Sequence, residues 1–189
     1  MNQKQKIGIS GNVGSFSEEA ANYYCHKNKI KDYELIYLVT VEDTLSSVVA
    51  NKVDKGIFPI ENSNGGIVYE SVYAMAKYTF NIEKMFEIDV RHCLLTLPNK
   101  KVGDIKKIAS HAQALKQCKM YLKRKWPNTE LIEWSDTAQA ANDLNKGKLD
   151  ESTAVIAPVG CAKLYNLDIL EEGIQDLKFN FTSFITAVE

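Results

Sequence analysis

Net charge is almost absent from this chain. Lysine and arginine number 23 against 24 aspartates and glutamates, leaving −1. Nucleic acid and anionic membrane surfaces select for a basic face, so neither is expected as a partner. Lys119, Lys123, Arg124 and Lys125 do cluster, but on a helical pattern, which marks a solvated face. Cysteine is sparse too. Cys25, Cys93, Cys118 and Cys161 lie far apart, with no Cys-x-x-Cys and no histidine at zinc spacing. Buried, reduced thiols are expected, and no metal or other cofactor. No apolar stretch is long enough to cross a bilayer. The start, Met1 to Lys6, runs into a strand pattern without an apolar signal region. The expectation is a soluble, cytoplasmic protein.

What remains is enough for one domain or two small lobes with real cores: 189 residues, 45% of them hydrophobic. The stretch from Gly56 to Gly66 stands out. A short apolar run, Ile57-Phe58-Pro59-Ile60, breaks into Glu61, Asn62, Ser63, Asn64 and two glycines. Open α/β sheets place ligands at such polar strand ends. By itself it also fits an ordinary loop.

Other strand ends read alike. Ile7–Ser10 is a strand leading into Gly11-Asn12-Val13-Gly14, and Ser15 with Glu18 spells a capping box. That helix start, with its free N–H groups, is a candidate anion cradle. Glu34–Val39 is a strand, and residues 41–52 form a helix with Leu45, Val48 and Val49 inward. Residues 68–76 read as a helix packed through Val68, Val72 and Met75. Residues 86–97 read as one long strand passing from lobe to lobe, with His92 a structural imidazole. Ser110 and Gln113 spell a second capping box, another candidate cradle, on a helix whose apolar face is Leu115, Cys118, Tyr121 and Leu122. Gln117 lies along the face of Gln113 and Ser110.

After a strand at 130–134 and a capped helix to Leu144, Val155-Ile156-Ala157-Pro158 repeats Ile57-Phe58-Pro59. Asp136-Thr137 precedes the one as Asp43-Thr44 precedes the other. A short helix at 160–165, a strand at 167–170 and a final strand at 180–188 complete the chain. The expected class is α/β, with two similar lobes: residues 1–90 with 178–189, and residues 91–177.

Taken in order, these joints resemble the prephenate dehydratase family. Gly11 to Ser17 stands where that family has Gly-Pro-x-Gly-Thr-Phe-Ser. Pro59 to Ser63 is its Pro-Ile-Glu-Asn-Ser intact. Ser110 to Cys118 is similar to Ser-His-Pro-Gln-x-x-x-Gln-Cys, with Ala112 for proline. Val155-Ile156-Ala157 and Leu164-Tyr165-Asn166-Leu167 resemble its Ala-Ile-Ala and Leu-Tyr-Gly-Leu elements. Asn180 to Phe184 stands for Asn-x-Thr-Arg-Phe.

The resemblance implies two α/β lobes of the type II periplasmic-binding-protein kind, with the active site in a cleft. It implies decarboxylating dehydration of prephenate to phenylpyruvate in phenylalanine biosynthesis. Thr182 would contact the departing hydroxyl as a donor or relay. Asn62, Ser63, Ser110 and Gln117 would orient the substrate, with Ser15 at an anion site. Glu61 is a candidate general acid if burial raises its pKa. The resemblance also implies a homodimer. The family's phenylalanine-sensing domain has no counterpart before Glu189, so no allosteric control is expected within this polypeptide. Ser183 replaces the family arginine. If that arginine gripped a carboxylate, its loss costs about 1.5–3 kcal/mol. Strand alternation instead turns position 183 away from Thr182, alongside Phe181 and Ile185. Two other functions stay open: a related lyase such as a prephenate decarboxylase, and a non-catalytic small-molecule binding protein of the same fold.

Overall fold

The computed structural model describes residues 4–189; Met1-Asn2-Gln3, on which the expectation of a start without a signal region partly rests, lies outside them. The chain forms two compact units. One holds the chain up to Asp89 together with Phe181–Glu189, and the other holds Val90–Asn180.

The first unit is built on strands β1 (Gln5–Ile9), β2 (Tyr33–Tyr37), β3 (Lys55–Asn62), the two-residue β4 (Gly66–Ile67) and β5 (Asn81–Asp89). Its helices are α1 (Phe16–Lys27), α2 (Val41–Val49) and α3 (Tyr69–Met75). The second unit contains β6 (Cys93–Thr96), β7 (Lys107–Ser110), α4 (Ala112–Gln117), α5 (Lys119–Lys125), β8 (Glu130–Glu133) and α6 (Thr137–Asn145). It continues through β9 (Thr153–Ala157), α7 (Gly160–Leu164) and β10 (Asp168–Glu172), before β11 (Phe181–Val188) returns to the first unit. The α/β class and the two similar lobes read from the sequence are what the structure shows.

The likeness is topological. The first sheet runs β2-β1-β3-β11-β5 and the second β8-β7-β9-β6-β10. In each, three parallel strands lie in the order second, first, third. An antiparallel strand then joins the third, and a last strand pairs with that one. Helices come after each parallel strand, as βαβ connections require.

Core residues explain the elements. In the first unit, Val41 and Leu45 of α2 and Ala74 of α3 pack on Phe58, Ile185 and Ala187. Burying Phe58 alone is worth about 1.5–3 kcal/mol. A Cβ on Gly56 would lie 2.7 Å from Val48 and 2.9 Å from Thr44, so only glycine lets α2 sit this close to β3. The second sheet is covered on both faces, by α6 and α7 over Leu95 and Val155, and by α4 and α5 over Leu94 and Ile156.

Several expectations are corrected. The strand read at 86–97 is two strands, β5 and β6, separated by Val90–His92. The helix after Ser110 breaks at Cys118 into α4 and α5. Val49 and Val72 are exposed; α3 buries Ser71 and Ala74 instead. Asp43-Thr44 and Asp136-Thr137 are not equivalent, because Asp136 caps α6 whereas Asp43 lies inside α2, whose cap is Thr40. The four cysteines are free and buried. Among the described residues no cluster of histidine, cysteine or carboxylates is arranged to hold a metal, and no helix is long and apolar enough to cross a membrane.

Candidate active site

β3 continues past its proline, and that continuation creates the polar cluster. Pro59 has no N–H for the ladder, and the register with β11 shifts there: Phe184 faces Pro59, while Ser183 faces Glu61. A bulge tolerates proline and re-aims the residues beyond it. Past this bulge Asn62 faces Thr182. The Asn62 amide Nδ2 donates to Thr182 Oγ1 at 2.9 Å and to the Phe181 carbonyl at 3.2 Å. Its Oδ1 accepts from the backbone N–H of Asn64, at 3.0 Å, and of Gly65, at 2.7 Å, which fixes the turn. Gly66 completes that turn at φ +80, where a side chain would be strained. Ser63 closes a reciprocal pair, its N–H to the Phe181 carbonyl at 2.8 Å and its Oγ accepting from the Phe181 N–H at 3.0 Å.

The consequence falls on Thr182, which is 9% exposed. A threonine hydroxyl has one proton and two lone pairs. Asn62 occupies a lone pair, and among the described residues no protein acceptor takes the Thr182 proton. The hydroxyl therefore keeps its proton available for donation, along with its second lone pair.

Ser15 caps α1, its Oγ accepting from the Glu18 N–H at 3.3 Å. The Glu18 carboxylate accepts from the Gly14 N–H rather than that of Ser15, so the box closes one residue early. A carboxylate thus already sits at this helix start.

Three sequence-predicted site residues are placed differently from expectation. Glu61 is exposed, so the burial on which its role as a general acid depended is not met. Ser110 is not a cap. It ends β7, wholly buried, and its hydroxyl donates to the Ile156 carbonyl at 2.6 Å, while His111 caps α4. The short apolar run before Ser110 draws it into the sheet, which removes the second anion cradle. Gln117 is turned inward, its Oε1 accepting from His92 Nε2 at 2.8 Å and from Asn180 Nδ2 at 2.9 Å.

His92, read as structural, is buried, and its pKa is held below the ordinary value of 6.5 by that burial, against the raising effect of the Gln117 bond. Burial also pushes the Cys25 thiol up to about 11 and that of Cys118 up to about 12. Thiols held protonated this way are poor nucleophiles. Asn180, read from the sequence only as the start of the closing motif, is wholly buried and bonded to Gln117 and Val90.

Ser183 pairs with Glu87 across β5, its hydroxyl donating to Oε1 at 3.1 Å, and faces Glu61 across β3. It stands between two carboxylates. It does not share the fate of Ile185, which is in the core.

Geometry and fold together define a two-unit α/β protein with a hydroxyl–amide cluster at a strand end. The sequence matches the prephenate dehydratase family over residues 7–188, and the chain belongs to that family. It is 36% identical over 183 residues to arogenate dehydratase/prephenate dehydratase 1, chloroplastic, of Arabidopsis thaliana, covering 96% of this chain and 44% of the relative. It is 31% identical to the bifunctional chorismate mutase/prephenate dehydratase of Stutzerimonas stutzeri, covering 98% of this chain and 49% of that one. Among solved structures, prephenate dehydratase from Arthrobacter aurescens in complex with L-Phe matches at a TM-score of 0.86 and 27% identity, over 97% of this chain and 60% of its own. The chain thus spans less than half the length of these two sequence relatives.

Proposed function

We propose that this chain is a lyase converting prephenate to phenylpyruvate. The ring carboxylate leaves as carbon dioxide, and its bonding electrons enter the ring as the C–O bond breaks. The departing hydroxide takes up one proton to become water. Aromatisation supplies most of the driving force, so the protein's task is to position the substrate and stabilise the leaving oxygen.

The observation that carries this reading is the Asn62–Thr182 pair. With an amide proton on one lone pair, the threonine hydroxyl has its proton available to donate to an oxygen that develops negative charge. Threonine is too weak an acid to ionise in this role; it donates a hydrogen bond. Asn62 and Ser63 hold the Phe181–Thr182 backbone in place.

The assay adds prephenate to the purified chain and tracks phenylpyruvate and carbon dioxide. Thr182→Ala should lower turnover by about 10²–10³-fold while the fold survives. Unchanged turnover would sink the mechanism. A decarboxylated, non-aromatic product would instead indicate a decarboxylase, and binding without turnover a receptor. Arogenate carries an amino group in place of the keto group and belongs in the same assay, since the A. thaliana relative is named for both substrates. The same reading expects a homodimer in the cytoplasm. Sedimentation of the purified chain tests the first expectation, and fractionation of cells that make it tests the second.

A further inference from the structure

The proton taken up by the departing hydroxide needs a donor. A threonine hydroxyl is too weak an acid to release one, and Glu61 pairs with Ser183 on the sheet face turned from Thr182. The other face carries a carboxyl. Ile185 and Ala187 of β11 pack against α2 and α3, so by alternation Thr182 and Phe184 face α1. Phe184 stacks on Phe86 of β5, with ring centroids 5.9 Å apart, and Phe86 stacks on Tyr23 of α1 at 6.1 Å.

These contacts belong to a series along which α1 runs antiparallel to β5. Asn28 Oδ1 accepts from Lys84 at 3.0 Å, the Tyr24 hydroxyl donates to Glu83 at 2.6 Å, and Tyr23 lies on Phe86. One turn before Tyr23, on the same stripe of the helix, is Glu19. That turn advances about 6 Å along the helix, toward the end of β5 at Ile88 and Asp89. Ile88 is the register partner of Thr182, and Asp89 that of Phe181. Although Glu19 as a whole residue is exposed, its carboxyl is held above the ordinary value of 4.5, first by burial and then by the charge of Asp89. The influence of Asp89 is independent support for Glu19 standing over the end of β5. No hydrogen bond acts on the Glu19 carboxyl, so it is not committed to holding the fold.

We infer that Glu19 is the general acid that protonates the departing hydroxyl, while Thr182 donates a hydrogen bond to the same oxygen. The Glu19 O–H bond breaks as the C–O bond breaks, and the C–O electron pair stays on the oxygen, which leaves as water. The electron pair of the bond to the ring carboxylate enters the ring as carbon dioxide departs. Glu19 is left as a carboxylate and regains its proton from water before the next turnover. A carboxyl raised toward the working pH by burial and a neighbouring carboxylate suits this task.

The inference rests on the reading of the chain as a prephenate lyase, so one readout is kept apart from turnover. In the parent protein, phenylpyruvate should move the carbon resonance of the Glu19 carboxyl, assigned by its loss in Glu19→Gln. Glu19→Gln keeps the shape and removes the acid. Its kcat should fall by about a hundredfold or more, with KM within about threefold of the parent and an unchanged melting temperature. A kcat within about threefold of the parent overturns the inference. So does a Glu19 resonance that saturating phenylpyruvate leaves in place, whatever happens to turnover. A parent that makes no phenylpyruvate from prephenate sinks the lyase reading and the general acid with it. If Thr182→Ala keeps its turnover while Glu19→Gln loses it and the resonance moves, the role given to Thr182 fails and the general acid stands.

Discussion

The two units share a strand order and use it differently. Their third parallel strands make the point, since each reaches a proline at the same stage. In the second unit β9 stops at Ala157, and Pro158 leads into a short helix. In the first, β3 runs through Pro59 for three more residues, and the bulge there carries Asn62 to Thr182. The polar residues of the second unit that resembled site residues, Ser110 and Gln117, are bonded inward. In the first unit, among the described residues, no protein acceptor takes the Thr182 proton. Equal topology thus supplies a scaffold twice, and a few residues past one proline separate the cluster proposed for chemistry from one bonded inward.

The sharpest way to break this contrast is Asn62→Asp. It keeps an oxygen for the Asn64 and Gly65 N–H groups but removes the donor to Thr182. Turnover should fall by about tenfold to a hundredfold with the turn intact. Activity at the parental level would mean that the Thr182 proton needs no fixing.

Ser110→Ala tests the other side. It strips the Ile156 carbonyl of a buried partner and should cost about 1–3 kcal/mol of stability, read by denaturant unfolding. A drop in activity larger than the loss of folded protein would return Ser110 to the site.

His92 sets an acid limit on the second unit. Its folded pKa is lowered by burial, so below the ordinary value of 6.5 the unfolded chain binds the proton first. Stability should therefore decline as pH falls through 6.5, by up to about 1.4 kcal/mol per unit, until the folded pKa is reached. Above 6.5 this group contributes no pH dependence. His92→Gln should flatten the decline; an identical slope in that variant assigns it to other groups.

The smallest effect belongs to Ser183→Arg. An arginine between Glu61 and Glu87 should add about 0.2–1 kcal/mol, as exposed cross-strand pairs do. A melting temperature that does not rise removes the case for a structural role of the family's arginine.

Much of the fold is legible in the residues alone. Alternating apolar runs and capped helices point to the α/β class, and the Ser15 cap is where its spacing put it. These are local effects, set by neighbours within a turn or a strand. Errors arose where burial overrode local chemistry. Ser110 looks like a cap and is a strand residue, because Ile108 and Ala109 carry it into the sheet. Val72 looks inward-facing but is exposed, since the face of α3 against the sheet is chosen by the place of β3, not by hydrophobicity alone.

By itself, then, the sequence determined most of the elements, the family and the nomination of Thr182, Asn62 and Ser63, because propensities, caps and motifs act over a few residues. Only the tertiary structure decided that Asn62 fills a lone pair of Thr182, that Gln117 joins His92 to Asn180, and that Ser183 lies between two carboxylates. Each depends on register between strands far apart in the chain, and register is a property of the assembled sheet.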